Sequence, residues 1–189
     1  MAIQKILITS GLASDTGKTT IFNSMARLLN DRQRIGFLRR AQDVQPDADG
    51  LGDLVTNLAL LDNGKVALID LPGEKFRTWM DSSKLFGGGV EGELDRIVVP
   101  ITPYQKPETI FAAVDELIAR GAAPKKIVVV LNRAPAGQPK KLAKLAMLLS
   151  FLCAERGVRL CAEPISEVSI LSSSSLRGFK GAIKQLLAD

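Results

Sequence analysis

The sequence contains no histidine. That removes imidazole general-base chemistry and histidine metal ligation, so any metal is expected to be Mg²⁺ held by oxygen atoms. It contains two cysteines, Cys153 and Cys161, both in apolar surroundings. Two cysteines make no disulfide framework, and they read as buried, reduced thiols. No apolar run approaches the roughly 20 residues of a membrane span. The start, Met1-Ala2-Ile3-Gln4-Lys5, lacks the layout of a signal peptide. The expectation is a cytoplasmic protein without a membrane partner.

What remains is an ordinary globular composition, 46% apolar and 24% charged over 189 residues, expected to form a single domain spanning 1–189. The formal charge of +5 is uneven. From Arg120 onward stand twelve basic and four acidic residues, a net +8, against −3 for the rest. Apolar runs predict strands at Gln4–Thr9, Arg34–Leu38, Lys65–Asp70, Arg96–Ile101, Lys126–Leu131 and Val158–Cys161. Helical spacing predicts helices at Thr19–Asn30, Pro107–Arg120 and Lys140–Glu155, with a shorter one at Leu51–Leu61. Phe76, Trp79 and Met80 space as another helical face, and Leu176, Phe179, Ile183 and Leu186 line a last helix. Pro107 and Gly121 punctuate the ends of one helix. Continuous apolar strands alternating with helices predict an α/β fold, a mostly parallel sheet with helices on both faces.

The chain is organised around Ser10-Gly11-Leu12-Ala13-Ser14-Asp15-Thr16-Gly17-Lys18-Thr19-Thr20. A strand precedes it and a helix follows it, the context of a phosphate-binding loop (P-loop). Backbone N–H groups of such a turn face phosphate oxygens, and the helix N-terminus adds partial positive charge. Lys18 is expected to reach the β- and γ-phosphates and Thr19 to ligate Mg²⁺. The usual spacing places a glycine at position 12, where Leu12 stands. Gly11 lies one residue earlier, so the loop is a longer variant. Ligands of parallel sheets bind at the carboxyl ends of strands, where this turn, Asp70, the Pro100 region and Asn132 are all expected to gather.

Four features follow in order: Gly17-Lys18-Thr19-Thr20; Ile69-Asp70-Leu71-Pro72-Gly73; Val98-Val99-Pro100-Ile101-Thr102-Pro103; and Val130-Leu131-Asn132-Arg133 with the later Glu163-Pro164-Ile165-Ser166-Glu167. Together they make the chain resemble the ParA/MinD family of P-loop ATPases over about residues 3 to 170. The resemblance implies a Mg²⁺-dependent, ATP-hydrolysing switch in plasmid or chromosome partition or a similar positioning task. It gives the cradle for ATP to Gly11, Ser14, Asp15, Thr16, Gly17, Lys18, Thr19 and Thr20, with Thr20 at the α-phosphate. Mg²⁺ falls to Thr19 and, through water, to Asp70. Adenine falls to Asn132 and Arg133 and to the Pro164–Ser166 segment. Alongside Lys18 in catalysis, Asp43 or Asp47 is implied to orient the attacking water.

The family carries a signature lysine five residues before Lys18, where this chain has Ala13. In the family that lysine crosses a nucleotide-dependent homodimer; here Arg39 or Arg40 could substitute, or stand as plain exposed arginines. The Gly11-to-Gly17 spacing is closer to dethiobiotin synthetase, so an ATP-dependent ligase acting on a small metabolite is the rival reading. Against it, Arg39-Arg40-Ala41 stands where that enzyme has Lys-Pro, and Asp70-Leu71-Pro72-Gly73-Glu74 where it has a glycine-rich acidic run. A small-molecule kinase is a third reading. The basic final third predicts non-specific DNA binding through Lys140, Lys141 and Lys144 on one helix face and Arg177, Lys180 and Lys184 on another. A ParB-like or cargo adaptor protein is the further partner that the resemblance implies.

Overall fold

The computed structural model describes residues 4–9, 16–30, 35–39, 65–71, 94–134, 139–165, 181–182 and 184–186. Six strands lie within them: β1 (Gln4–Thr9), β2 (Ile35–Arg39), β3 (Val66–Leu71), β4 (Arg96–Ile101), β5 (Ile127–Leu131) and β6 (Arg159–Leu160). Three long helices accompany them: α1 (Lys18–Asn30), α2 (Pro107–Ala119) and α3 (Pro139–Glu155). The strands form one sheet in the order β2-β3-β1-β4-β5-β6, parallel throughout. The expected α/β architecture is therefore present. The expected helix at Leu51–Leu61, the Phe76/Trp79/Met80 face, Leu176 and Phe179 lie outside the described residues.

Side-chain alternation along the strands sorts the core into two layers. Ala67 and Ile69 of β3, Ile97, Val99 and Ile101 of β4, and Ile127, Val129 and Leu131 of β5 face one way. There they meet Phe111, Val114 and Leu117 of α2 and Leu149 and Cys153 of α3. The intervening residues Val66, Leu68, Val98, Val128 and Val130 face the other way, onto Ile21, Phe22, Met25 and Leu29 of α1 and onto Ala182 and Leu186. Every residue of β4 and β5 is buried, which is why these strands read as unbroken apolar runs rather than alternating ones. Full burial of each valine, leucine or isoleucine among them stabilises the fold by about 1.5–3 kcal/mol.

Three local details set the ends of these elements. Pro100 has no N–H to give a ladder, yet sits in a central strand. It is tolerated because β4 pairs with β1 as far as Val98, beyond which β5 is its partner strand among the described residues. At the far end of α2, Gly121 takes φ 105° and donates to the Ile118 carbonyl, so the helix stops where the sequence signals it should. A 3₁₀ turn at Pro124–Lys126 takes up Lys126, which the sequence suggests as the first residue of β5.

Candidate functional site

The carboxyl end of β1 leads through the glycine turn into α1, and α1 begins at Lys18. Gly17 has φ 74°, the left-handed region that a side chain resists. A Cβ on Gly17 would also collide with the Asn132 amide nitrogen. Only glycine lets the turn close this tightly over the end of β5.

From the opposite side, Asp70 closes the site. It sits near the end of β3, 1% exposed, in register with Ile8 of β1. Its Oδ1 lies 3.1 Å from Lys18 Nζ, and its Oδ2 accepts a 3.3 Å hydrogen bond from Thr19 Oγ1. A buried carboxylate is costly unless paired, and the first two residues of α1 supply that pairing. Lys18, Thr19 and Asp70 thus converge, as the motif order suggested. Two hard oxygens, one hydroxyl and one carboxylate, fit Mg²⁺, which is bound through one or two protein oxygens plus substrate phosphates. Among the described residues, no group of three or more His, Cys, Asp or Glu side chains forms a cage of its own.

Asn132 continues from β5, its backbone N–H donating to the Ile101 carbonyl over 2.7 Å. Its side chain is buried and donates from Nδ2 to the Thr16 carbonyl over 2.7 Å. The structure therefore joins Asn132 to the phosphate loop itself, 116 residues away in sequence. One amide N–H is taken by this contact; an asparagine amide has a second N–H and an oxygen besides. Beside it, the Thr16 hydroxyl is buried and has no hydrogen-bond partner among the described residues. A buried unsatisfied hydroxyl carries a cost of about 1–3 kcal/mol that a ligand oxygen would remove.

Arg133 has φ 54°, left-handed and uncommon for an arginine, and its Nε would stand 3.6 Å from a Cβ at Gly17. The Pro164 segment runs beside it. Ile165 N–H donates to the Leu131 carbonyl and Ala134 N–H to the Ile165 carbonyl. Gln185 Oε1 accepts from the N–H groups of Ala162 and Glu163, fastening this segment to the last helix. Thr20, on the exposed side of the first turn of α1, accepts at its carbonyl a bond from Ser24 Oγ.

Gly11, Ser14, Asp15, Asp43, Asp47, Ser166, Arg177 and Lys180 lie outside the described residues. Lys140, Lys141, Lys144 and Lys184 are exposed on helices. The Val98–Pro103 run, which the sequence places at this rim, includes Thr102, buried at the strand end with its N–H donating to Gln105 Oε1 over 2.8 Å. The sequence pointed to Pro100 in this run and did not single out Thr102.

No family model and no curated protein matches this sequence. Solved structures do match it. A Borrelia burgdorferi plasmid partition protein bound to AMPPNP is 11% identical at TM-score 0.59, covering 97% of this chain and 98% of its own. The ATP complex of a Cyanothece McdA variant is 16% identical at TM-score 0.62, over 100% of this chain and 98% of its own. Mycobacterium smegmatis cobyrinic acid a,c-diamide synthase, with an ATP analogue and magnesium bound, is 14% identical at TM-score 0.60, over 95% and 93%. These structural neighbours, a plasmid partition protein, McdA and a diamide synthase, all hold ATP or an ATP analogue. Their likeness to this chain is one of fold, and it runs over nearly the full length of both partners.

Proposed function

We propose that this chain, with the fold of a P-loop NTPase, is a Mg²⁺-dependent, ATP-binding and ATP-hydrolysing switch of the ParA-like kind. Its task would be plasmid or chromosome partition or a related positioning role in the cytoplasm. The observation that carries the reading is the convergence of Lys18 and Thr19 on Asp70 beneath the Gly17 turn. Lys18 would exchange part of its contact with Asp70 for phosphate oxygens. Thr19 and Asp70 would hold Mg²⁺, and the ion would neutralise developing phosphate charge. The Thr16 hydroxyl would meet a ligand oxygen, and Asn132, Arg133 and Pro164 would bound the base. Asp43 or Asp47 would orient the water. Switching would follow from nucleotide-dependent ordering of loops at the rim.

The partners belong to the same proposal: duplex DNA without sequence preference, a ParB-like or cargo adaptor, and a nucleotide-dependent homodimer. Support for DNA comes from the basic final third of the chain and the exposure of Lys140, Lys141, Lys144 and Lys184.

The test is calorimetric binding of ATP and GTP with Mg²⁺, followed by hydrolysis with and without an arbitrary DNA duplex. The expected result is ATP preferred over GTP, and DNA affinity falling steeply with salt. Lys180→Glu/Lys184→Glu should weaken the DNA complex. Equal binding of the two nucleotides, or DNA affinity indifferent to salt and to the charge reversals, would overturn the corresponding part. Turnover only with dethiobiotin synthetase substrates would establish the ligase instead.

A further inference from the structure

α3 rests on the sheet through Leu142, Leu145, Leu149, Leu152 and Cys153. Its opposite side carries Lys140, Lys144, Met147, Phe151 and Ala154 at heptad spacing, with Ala143 and Ser150 between them, all exposed. Met147 is 72% and Phe151 61% exposed, and Leu148 on the flank 43%. A helix covering a sheet ordinarily turns such residues inward and puts polar ones outermost, and a contiguous exposed apolar patch marks a contact surface.

We propose that this face of α3 pairs with the same face of a second copy of the chain, antiparallel about a two-fold axis at Met147. The 17 residues of α3 run from Pro139 to Glu155, so Met147 is their midpoint. Antiparallel pairing sets Met147 against its own copy, Phe151 against Ala143, Lys144 against Ser150 and Lys140 against Ala154. Each large apolar residue meets a small one or itself, the self-complementarity that a two-fold contact requires. Charge fixes the direction. The amino-terminal half carries Lys140, Lys141 and Lys144, and the carboxyl end carries Glu155, half exposed and in loose 4.0 Å contact with Arg156. Antiparallel pairing brings the lysines of one copy to the Glu155 end of the other, where the helix dipole is also negative. Parallel pairing would set lysine against lysine.

A lipid surface fits less well. Its helix needs an apolar stripe running lengthwise between cationic flanks, whereas α3 is divided end from end, cationic then apolar. The contact is small. A helix face about 25 Å long and about 10 Å wide falls short of the roughly 800 Å² per partner of a standard stable interface, so the dimer is weak and reversible. α3 lies on the opposite face of the sheet from α1, so the pairing needs no nucleotide, though it draws on Lys140 and Lys144, which the proposed DNA surface also uses.

The experiment is sedimentation velocity on the full chain without nucleotide, over about 1–100 µM. The mass should rise from monomer toward dimer, and Phe151→Glu should weaken association at least about tenfold. Lys140→Glu and Glu155→Lys should each weaken it, and the two together should restore it. Because Cys153 and Cys161 are buried, mild oxidation reads an introduced thiol cleanly. Met147→Cys should become a covalent dimer and Lys141→Cys should not. A native chain monomeric throughout, association indifferent to Phe151→Glu, or no crosslink at Met147→Cys would each overturn the proposal. So would a monomer that instead co-sediments with phosphatidylserine vesicles, which would assign the face to lipid.

Discussion

The two faces of the sheet are built by one rule and end differently. On both, alternate residues of β3, β4 and β5 pack a helix layer of buried aliphatic side chains. On the α1 face the helix starts straight from the glycine turn, with Lys18 and Thr19 in its first turn and no acid there. Those residues reach Asp70 across the rim. On the other face α2 starts at a proline, and the charged groups stay at the periphery. Arg156, just beyond α3, forms a two-pronged ion pair with Asp115 of α2 and stacks over Phe111. Equal packing thus ends unequally: one face gathers Lys18, Thr19 and Asp70 where the proposed ATPase would take its phosphates, while the other clamps its helices together. If so, substitutions on the two faces should separate activity from stability.

The largest effect is expected at Lys18. Lys18→Ala should lower ATP hydrolysis by at least about 100-fold, with an unfolding midpoint close to that of the native chain, read by circular dichroism. Hydrolysis near the native rate would break the comparison, since it would place the chemistry elsewhere. The mirror experiment is Leu149→Ala on the α3 side. Leu149 is fully packed beneath that helix, and its truncation should cost about 2–5 kcal/mol in denaturant unfolding. Turnover should be unchanged wherever the variant remains folded.

Asn132 joins the two duties, being the continuation of a core strand and a hydrogen-bond donor to the loop. Asn132→Ala should therefore do a little of both. It leaves the Thr16 carbonyl unsatisfied, at a cost of about 1–3 kcal/mol, and lets the glycine turn wander, weakening ATP binding about tenfold in calorimetry. Loss of stability with ATP affinity intact would show that the contact only holds the core.

Much of this was legible in the residues. Val128-Val129-Val130 has too many β-branched side chains for a surface helix and too little polarity for an edge, so β5 was plain. The meeting of Lys18, Thr19 and Asp70 followed from their order at strand ends. The Asn132–Thr16 bond was not legible, because it depends on how far β5 runs past β1, a register that only the assembled sheet sets. The outward face of α3 was hidden for another reason. Leu142, Leu145, Met147, Leu148, Leu149, Phe151 and Leu152 surround the helix on nearly every side, so periodicity alone does not say which of them meets the sheet. The lysines of that helix stood out, and the apolar residues sharing their face did not.

The smallest expected effect sharpens the comparison at high pH. Cys153 is part of the α2–α3 layer, and burial pushes its thiol from 9.0 up to about 11, with nearby Arg156 pulling slightly the other way. Below pH 9 the thiol is neutral whether the chain is folded or not, and its contribution to stability is fully present. As pH rises through 9.0 the unfolded chain releases that proton while the folded chain keeps it, so stability declines until about pH 11, where the folded thiol ionises too. On the α1 face Cys161 is raised as well, by burial first, with its bond to the Glu163 backbone opposing. Urea unfolding at steps from pH 8 to 11 should therefore show a slope that becomes shallower in Cys153→Ala, because one of the two buried thiols no longer takes part. Turnover of that variant at pH 8 should match the native chain, since Cys153 packs in the α2–α3 layer. An unchanged slope would mean that the layer under α3 admits water, and that the two faces differ in packing as well as in duty.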